Sequence, residues 1–208
     1  GNTAEGGEIE DPSLEPKTDK ILQWCKPIGD SPDQSETVNI TFDKGIPTSL
    51  DGVEMKLSQI IAKCNTIGAK HGVGVVQLIE DRLIGLKVRG IYENPGATIL
   101  ISAHKKLEQL VSTRQENEFK SLVDTKWAYL LYAAQWFEPT MKHLHSYIDS
   151  QNQKVCGTVT VRLYKGTVTI VSLTSPYSLF DHNLATFEKN SAFNQNASTR
   201  FIEIYHLS

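Results

Sequence analysis

Six charged side chains between residues 80 and 93 are placed to do chemistry: Glu80, Asp81, Arg82, Lys87, Arg89 and Glu93. They are threaded among branched apolar residues. Val73, Val75, Val76, Leu78 and Ile79 precede them, and a second extended run from Leu83 to Tyr92 carries the rest. Charges at the edge of a buried sheet need partners, and a bound ligand is one kind of partner, so a site is sought here first. The remaining reactive residue types point elsewhere. Cys25, Cys64 and Cys156 are far apart and form no C-x-x-C pair, which argues against a disulfide framework and a zinc site. His143 and His145 are two apart and fall on different helix faces, and His104 stands alone among polar neighbours. No Walker-type or pyrophosphatase-type phosphate loop, nucleophile elbow or H-E-x-x-H motif occurs, and Gly72-Val73-Gly74 opens no helix.

The elements that must position these side chains follow from periodicity. Val73 to Ile79 has no polar face and reads as a strand covered on both sides. Asn94-Pro95-Gly96 stops the next run and starts a helix marked by Ile99, Leu100, Ala103, Leu107, Leu110 and Val111. An earlier helix spans Leu57 to Ile67 and stops at Gly68, with Cys64 on its apolar stripe. A longer helical region runs from Phe119 through Ala134, is broken or kinked at Pro139, and continues to Ile148. Tyr129 to Phe137 is apolar on more than one face, which predicts deep burial or a subunit contact. Two hairpins frame these helices. Val38, Ile40 and Phe42 alternate before a turn at Asp43-Lys44-Gly45, and Val159 to Leu163 returns through Lys165-Gly166 to Val168 and Ile170. The expected class is α+β, a mixed or antiparallel sheet with hairpins packed by long helices.

The ends are less patterned. Position alone makes Gly1 to Asp11 a disordered terminus, and Pro12 to Ser35 reads as an extended surface segment anchored by Trp24. Residues 181–208 stay polar until Phe201-Ile202-Glu203-Ile204-Tyr205, which either contacts a neighbouring subunit or closes its own domain. With 208 residues and a net charge of −3, the chain has room for one sizeable core and no bias toward nucleic acid or an anionic membrane. It has no apolar run of membrane-spanning length and no signal peptide, and the three scattered cysteines favour a reducing, cytoplasmic setting.

Several stretches resemble the C-terminal, synthetase half of argininosuccinate synthases. KHGVG, IEDRLIGLKVRGIYENPGATIL, LLYAAQWFEP and the G-x-V-x-x-x-L-Y-K-G and S-P-Y-S-L-[YF] segments are similar to that family, as is Thr3-Ala-Glu-Gly-Gly-Glu-Ile-Glu-Asp-Pro. The chain departs from the pattern at Val75 (Arg in the family), Asp81 (Asn) and Val88 (Ser). The resemblance implies that residues 1–208 form a C-terminal synthetase and oligomerisation domain, separated from an N-terminal ATP-binding domain. It implies an ATP-dependent ligation of citrulline to aspartate with release of AMP and pyrophosphate, ATP and Mg2+ lying in that other domain. It also implies a homotetramer.

Residue by residue, the resemblance places Thr3, Glu80 and Tyr92 at the citrulline site, with no catalytic or metal residue in this chain. A zwitterion suits a carboxylate for its ammonium and hydroxyls for its carboxylate or ureido oxygen. On the residues alone, Glu80 could equally pair with Arg82 at a strand end, and Tyr92 could be packing. A straight Leu83–Tyr92 strand would span about 30 Å at ~3.3 Å per residue, too far for one ligand. The expectation is that the chain bends, the alternative being sites in different subunits. Two rivals stand beside this reading: a divergent relative acting on another ureido or amine substrate, and a self-associating domain without a site.

Overall fold

In a computed structural model, which describes residues 1–183 and 195–206, the chain forms two antiparallel sheets and six helices. In chain order the strands are β1 (Asn2–Glu5), β2 (Glu36–Asp43), β3 (Ile46–Leu50), β4 (Val53–Glu54), β5 (Val75–Asp81), β6 (Lys87–Glu93), β7 (Gly157–Tyr164) and β8 (Thr167–Thr174). The helices are α1 (Thr18–Ile21), α2 (Leu57–Lys70), α3 (Pro95–Val111), α4 (Arg114–Tyr132), α5 (Pro139–Asn152) and α6 (Gln195–Tyr205). The larger sheet has the order β4-β3-β2-β7-β8, and the smaller one β1-β6-β5. The α+β expectation holds.

The core lies on the larger sheet because its strands alternate cleanly. Val38, Ile40 and Phe42 of β2 and Val159, Val161 and Leu163 of β7 point to one face, with Ile40 opposite Val159 and Val38 opposite Val161. Ile60 and Cys64 of α2 and Ile99, Ala103, Leu107 and Val111 of α3 cover that face. Both expected hairpins form. Lys44-Gly45 and Lys165-Gly166 have positive φ at both positions, the mirror-image turn that matches strand twist.

The helical region after α3 is two helices. Thr113 and Glu116 make a reciprocal capping box at the start of α4, and the Glu138 carboxylate caps α5 from just before Pro139. Helix α4 ends in a Schellman motif: the Ala134 N–H bonds the Leu131 carbonyl, and the Gln135 N–H bonds that of Leu130. The motif demands a left-handed residue, and Ala134 has φ 57° where the resembled L-x-Y-x-G-x-W-F-x-P pattern has Gly. Ala134→Gly is therefore expected to stabilise the chain by about 0.5–1 kcal/mol, read as a higher urea midpoint at unchanged slope.

Several expectations need correction. Strand β5 is not covered on both sides. Among the described residues it is an edge strand paired only to β6, with Val76, Leu78 and Ile79 exposed. The buried strand is β6, because β1 flanks it on its other side. That pairing also orders Asn2–Glu5, which lacks any strand signal of its own. In the Pro12–Ser35 segment Trp24 is half exposed and is no anchor; the buried side chains are Cys25 and Ser31. Of the two outcomes expected for Tyr129–Phe137, deep burial within the chain does not hold: Leu130 is buried, but Tyr129, Leu131, Tyr132, Trp136 and Phe137 are exposed, Phe137 to 95%. The apolar residues of α6 are likewise exposed, and residues 184–194 and 207–208 of the tail lie outside the described residues.

Candidate functional site

Register decides which side chains of the small sheet meet. Thr3 is opposite Tyr92, which is opposite Val76; Glu5 is opposite Gly90, which is opposite Leu78; Val88 is opposite Glu80. Directly paired residues share a face, so Thr3, Glu5, Glu80, Val88 and Tyr92 occupy one face. Residues 82–86 turn β5 back as β6, with the Arg82 N–H bonding the Leu86 carbonyl and Gly85 at φ 83°. The chain does bend, and the distance difficulty disappears.

On this face the Tyr92 hydroxyl donates to Glu80 Oε1 at 2.8 Å. The ring must pass over Gly90 to get there. A Cβ on Gly90 would lie 2.9 Å from Tyr92 Cε2 and 3.1 Å from its hydroxyl. Gly90 is thus a close-approach glycine, and its chemistry is to leave room for that ring. Gly90→Ala is expected to push the ring aside and break the bond, seen as loss of a slowly exchanging Tyr92 hydroxyl signal and roughly tenfold weaker ligand binding.

Burial, then the bond to Glu80, pushes the Tyr92 phenol up to about 12, with the Glu80, Glu5 and Tyr132 groups adding to the rise. The phenol stays protonated at working pH, and its proton is committed to Glu80. What the pair offers a ligand is acceptors: the second Glu80 oxygen and a Tyr92 lone pair. Two acceptors, one of them charged, suit an ammonium. Thr3 is exposed beside Tyr92 and can donate its hydroxyl to a carboxylate. Glu80 does not pair with Arg82, whose guanidinium lies 3.8 Å from Glu5 in a mostly exposed contact that contributes little.

An open cleft of about 480 Å³ adjoins the pair, lined by Glu5, Glu80, Arg82, Leu83, Ile84 and Tyr132. Glu5 and Tyr132 were not legible as site residues. Glu5 stands two residues after Thr3, so strand alternation could have found it; Tyr132 comes from a distant helix and carried no such signal.

The opposite face uses its charges structurally. Glu93, 2% exposed, accepts hydrogen bonds from the backbone N–H groups of Gln23, Trp24 and Cys25 and from the Asn2 amide. Burial alone would raise its pKa, but these four donors outweigh it and hold the carboxyl below the usual range. Arg89 donates to the carbonyls of Asp11 and Leu14 and to Gln77 Oε1. These two side chains tether the irregular segments 11–14 and 23–25 to β6. Asp81 and Lys87 pair with each other at the exposed hairpin end. A second cleft of about 550 Å³ involves Ile79, Lys87 and Arg89, but the Arg89 guanidinium is already engaged. Among the described residues no group of three or more His, Cys, Asp or Glu side chains could hold a metal ion. Among the described residues no helix is long and apolar enough to cross a membrane.

The molecule is thus an α+β domain whose small sheet presents a carboxylate–phenol pair suited to a small ammonium-bearing ligand. A family model described as "Arginosuccinate synthase C-terminal domain" matches residues 1–208. The chain belongs to that family. It is 45% identical over 205 residues to the argininosuccinate synthase of Pyrococcus furiosus, covering 99% of this chain and 50% of that protein. It is 42% identical over 203 residues to the one of Carboxydothermus hydrogenoformans and 40% over 203 residues to one of Clostridium perfringens, again covering 98% of this chain and 50% of each relative. The chain spans about half the length of these curated relatives.

Proposed function

We propose that this chain is the synthetase and oligomerisation domain of an ATP-dependent ligase that joins citrulline to aspartate, and that it supplies part of the citrulline site. The observation that carries the reading is the Glu80–Tyr92 pair, beside Thr3 on one exposed sheet face. The citrulline ammonium sits against Glu80 and Tyr92, and Thr3 donates to its carboxylate. Relatives named argininosuccinate synthase support the reaction assigned. ATP and Mg2+ belong, in this reading, to a domain outside this chain, whose sequence carries no phosphate-binding loop. The exposed apolar residues of α6 and of the α4 end support self-association into a homo-oligomer, and the reading sets it in the cytoplasm.

The test is a pair of titrations of the purified chain. Citrulline is expected to bind weakly and ATP not at all, and incubation with citrulline, aspartate and ATP is expected to yield no AMP. AMP release by this chain alone would overturn the division of labour. A second reading, a related enzyme for another ureido substrate, is favoured by Val88, which stands directly opposite Glu80 where the resembled pattern has Ser. The other two departures lie off the Glu80–Tyr92 surface: Val75 points to the opposite face, opposite Glu93, and the Asp81 carboxylate pairs with Lys87. Tighter binding of a different ureido compound than of citrulline would favour that second reading.

A further inference from the structure

Strand β5 ends in an exposed position. Among the described residues it is paired on one side only, the turn residues Leu83, Ile84 and Leu86 that follow it are exposed, and Ile84 reaches 77%. Edge strands with exposed tips sit at the low-stability end of a fold, yet this one carries Glu80, whose placement the site requires. Among the described residues one hydrogen bond reaches it from outside the sheet. The Tyr132 hydroxyl donates to the Asp81 carbonyl at 3.1 Å, across 51 residues of sequence. Tyr132 is the last residue of α4, and the Schellman motif around Ala134 fixes that helix end. Its side chain also lines the 480 Å³ cleft together with Glu80 and Glu5.

We propose that Tyr132 is a positioning residue for the ligand site, holding Glu80 in place through the Asp81 carbonyl and walling the cleft. This rests on the reading of Glu80 as a ligand-binding group. The peptide that carries the Asp81 carbonyl follows Glu80 by one residue, so pinning that carbonyl limits rotation of the β5 end and with it the direction of the Glu80 side chain. The bond comes from a separate element, so the site is stiffened by α4 rather than by the hairpin alone. Losing the hydroxyl loosens residues 80–87 without opening the core, which lies under the other sheet.

The test uses Tyr132→Phe, which keeps the ring, in the chain as it stands. Amide hydrogen exchange at residues 80–87 is expected to speed up about three- to tenfold, the net worth of one such bond, while β2 and β7 are unchanged. Citrulline affinity is expected to fall by about the same factor at an unchanged thermal midpoint. In a Glu80→Ala background the further loss from Tyr132→Phe is expected to vanish, because the two act through one group. Unchanged exchange at residues 80–87 overturns the proposal, whatever the ligand does. If Glu80→Ala weakens binding and Tyr132→Phe does not, the positioning role is wrong and the site stands. If neither variant alters binding, the site reading fails and the positioning role fails with it.

Discussion

Glu80→Ala is expected to weaken citrulline binding by about ten- to hundredfold. A hydrogen bond to a charged group is worth about 1.5–3 kcal/mol net, and each 1.4 kcal/mol is a factor of ten. The substitution removes the charged acceptor for the ammonium and also releases the Tyr92 hydroxyl from its 2.8 Å bond. Glu80 is partly exposed and supports no core contact, so the folded state should be little affected. Calorimetric titration at matched protein concentration checks the affinity and a thermal melt checks the fold, since a non-binding but folded variant still shows the wild-type unfolding transition. Affinity within twofold of wild type would remove Glu80 from the site.

Glu93→Gln is expected to destabilise the chain by roughly 3 kcal/mol. Breaking a buried charged group away from its partners costs about this much, because an amide turns a donor toward N–H groups that need an acceptor. Four donors converge on this carboxylate, including a 2.6 Å bond from the Cys25 N–H. The pH dependence has a definite sign. The folded pKa is depressed, so the carboxylate's contribution is complete above its ordinary value of 4.5. It is lost as pH falls through the lower folded value. Urea midpoints at pH 7 should differ strongly between variant and wild type, and the gap should narrow toward pH 3. A gap that stayed constant with pH would show that Glu93 acts by shape rather than by charge.

The legible parts of the fold were those where a face is buried. Val38, Ile40 and Phe42, and Val159, Val161 and Leu163, alternate because one side of β2 and β7 carries the core, and the helical stripes of α2 and α3 cover them. The small sheet obeyed no such rule. Its apolar strand β5 is an exposed edge, while its charged strand β6 is central, since Arg89 and Glu93 find donors and acceptors in loops that pattern does not reveal. Sequence alone would have made both side chains candidate ligands for a substrate. Glu80 and Tyr92 came from the family resemblance, and their contact depends on the turn at 82–86 and the gap left by Gly90. Tyr132 is reached only through the tertiary fold, from a helix that periodicity reads as bulk.

In the proposed function an amino-acid ligand sits on the Thr3, Glu80 and Tyr92 face of the small sheet. A nitrogen–proton resonance map of the chain, recorded while citrulline is added, tests it most directly. Shifts are expected to concentrate at residues 2–5, 78–82 and 88–92, to saturate with citrulline and to be absent in Glu80→Ala. Shifts centred on residues 6–12 at the second cleft, or shifts unaltered by Glu80→Ala, would contradict it.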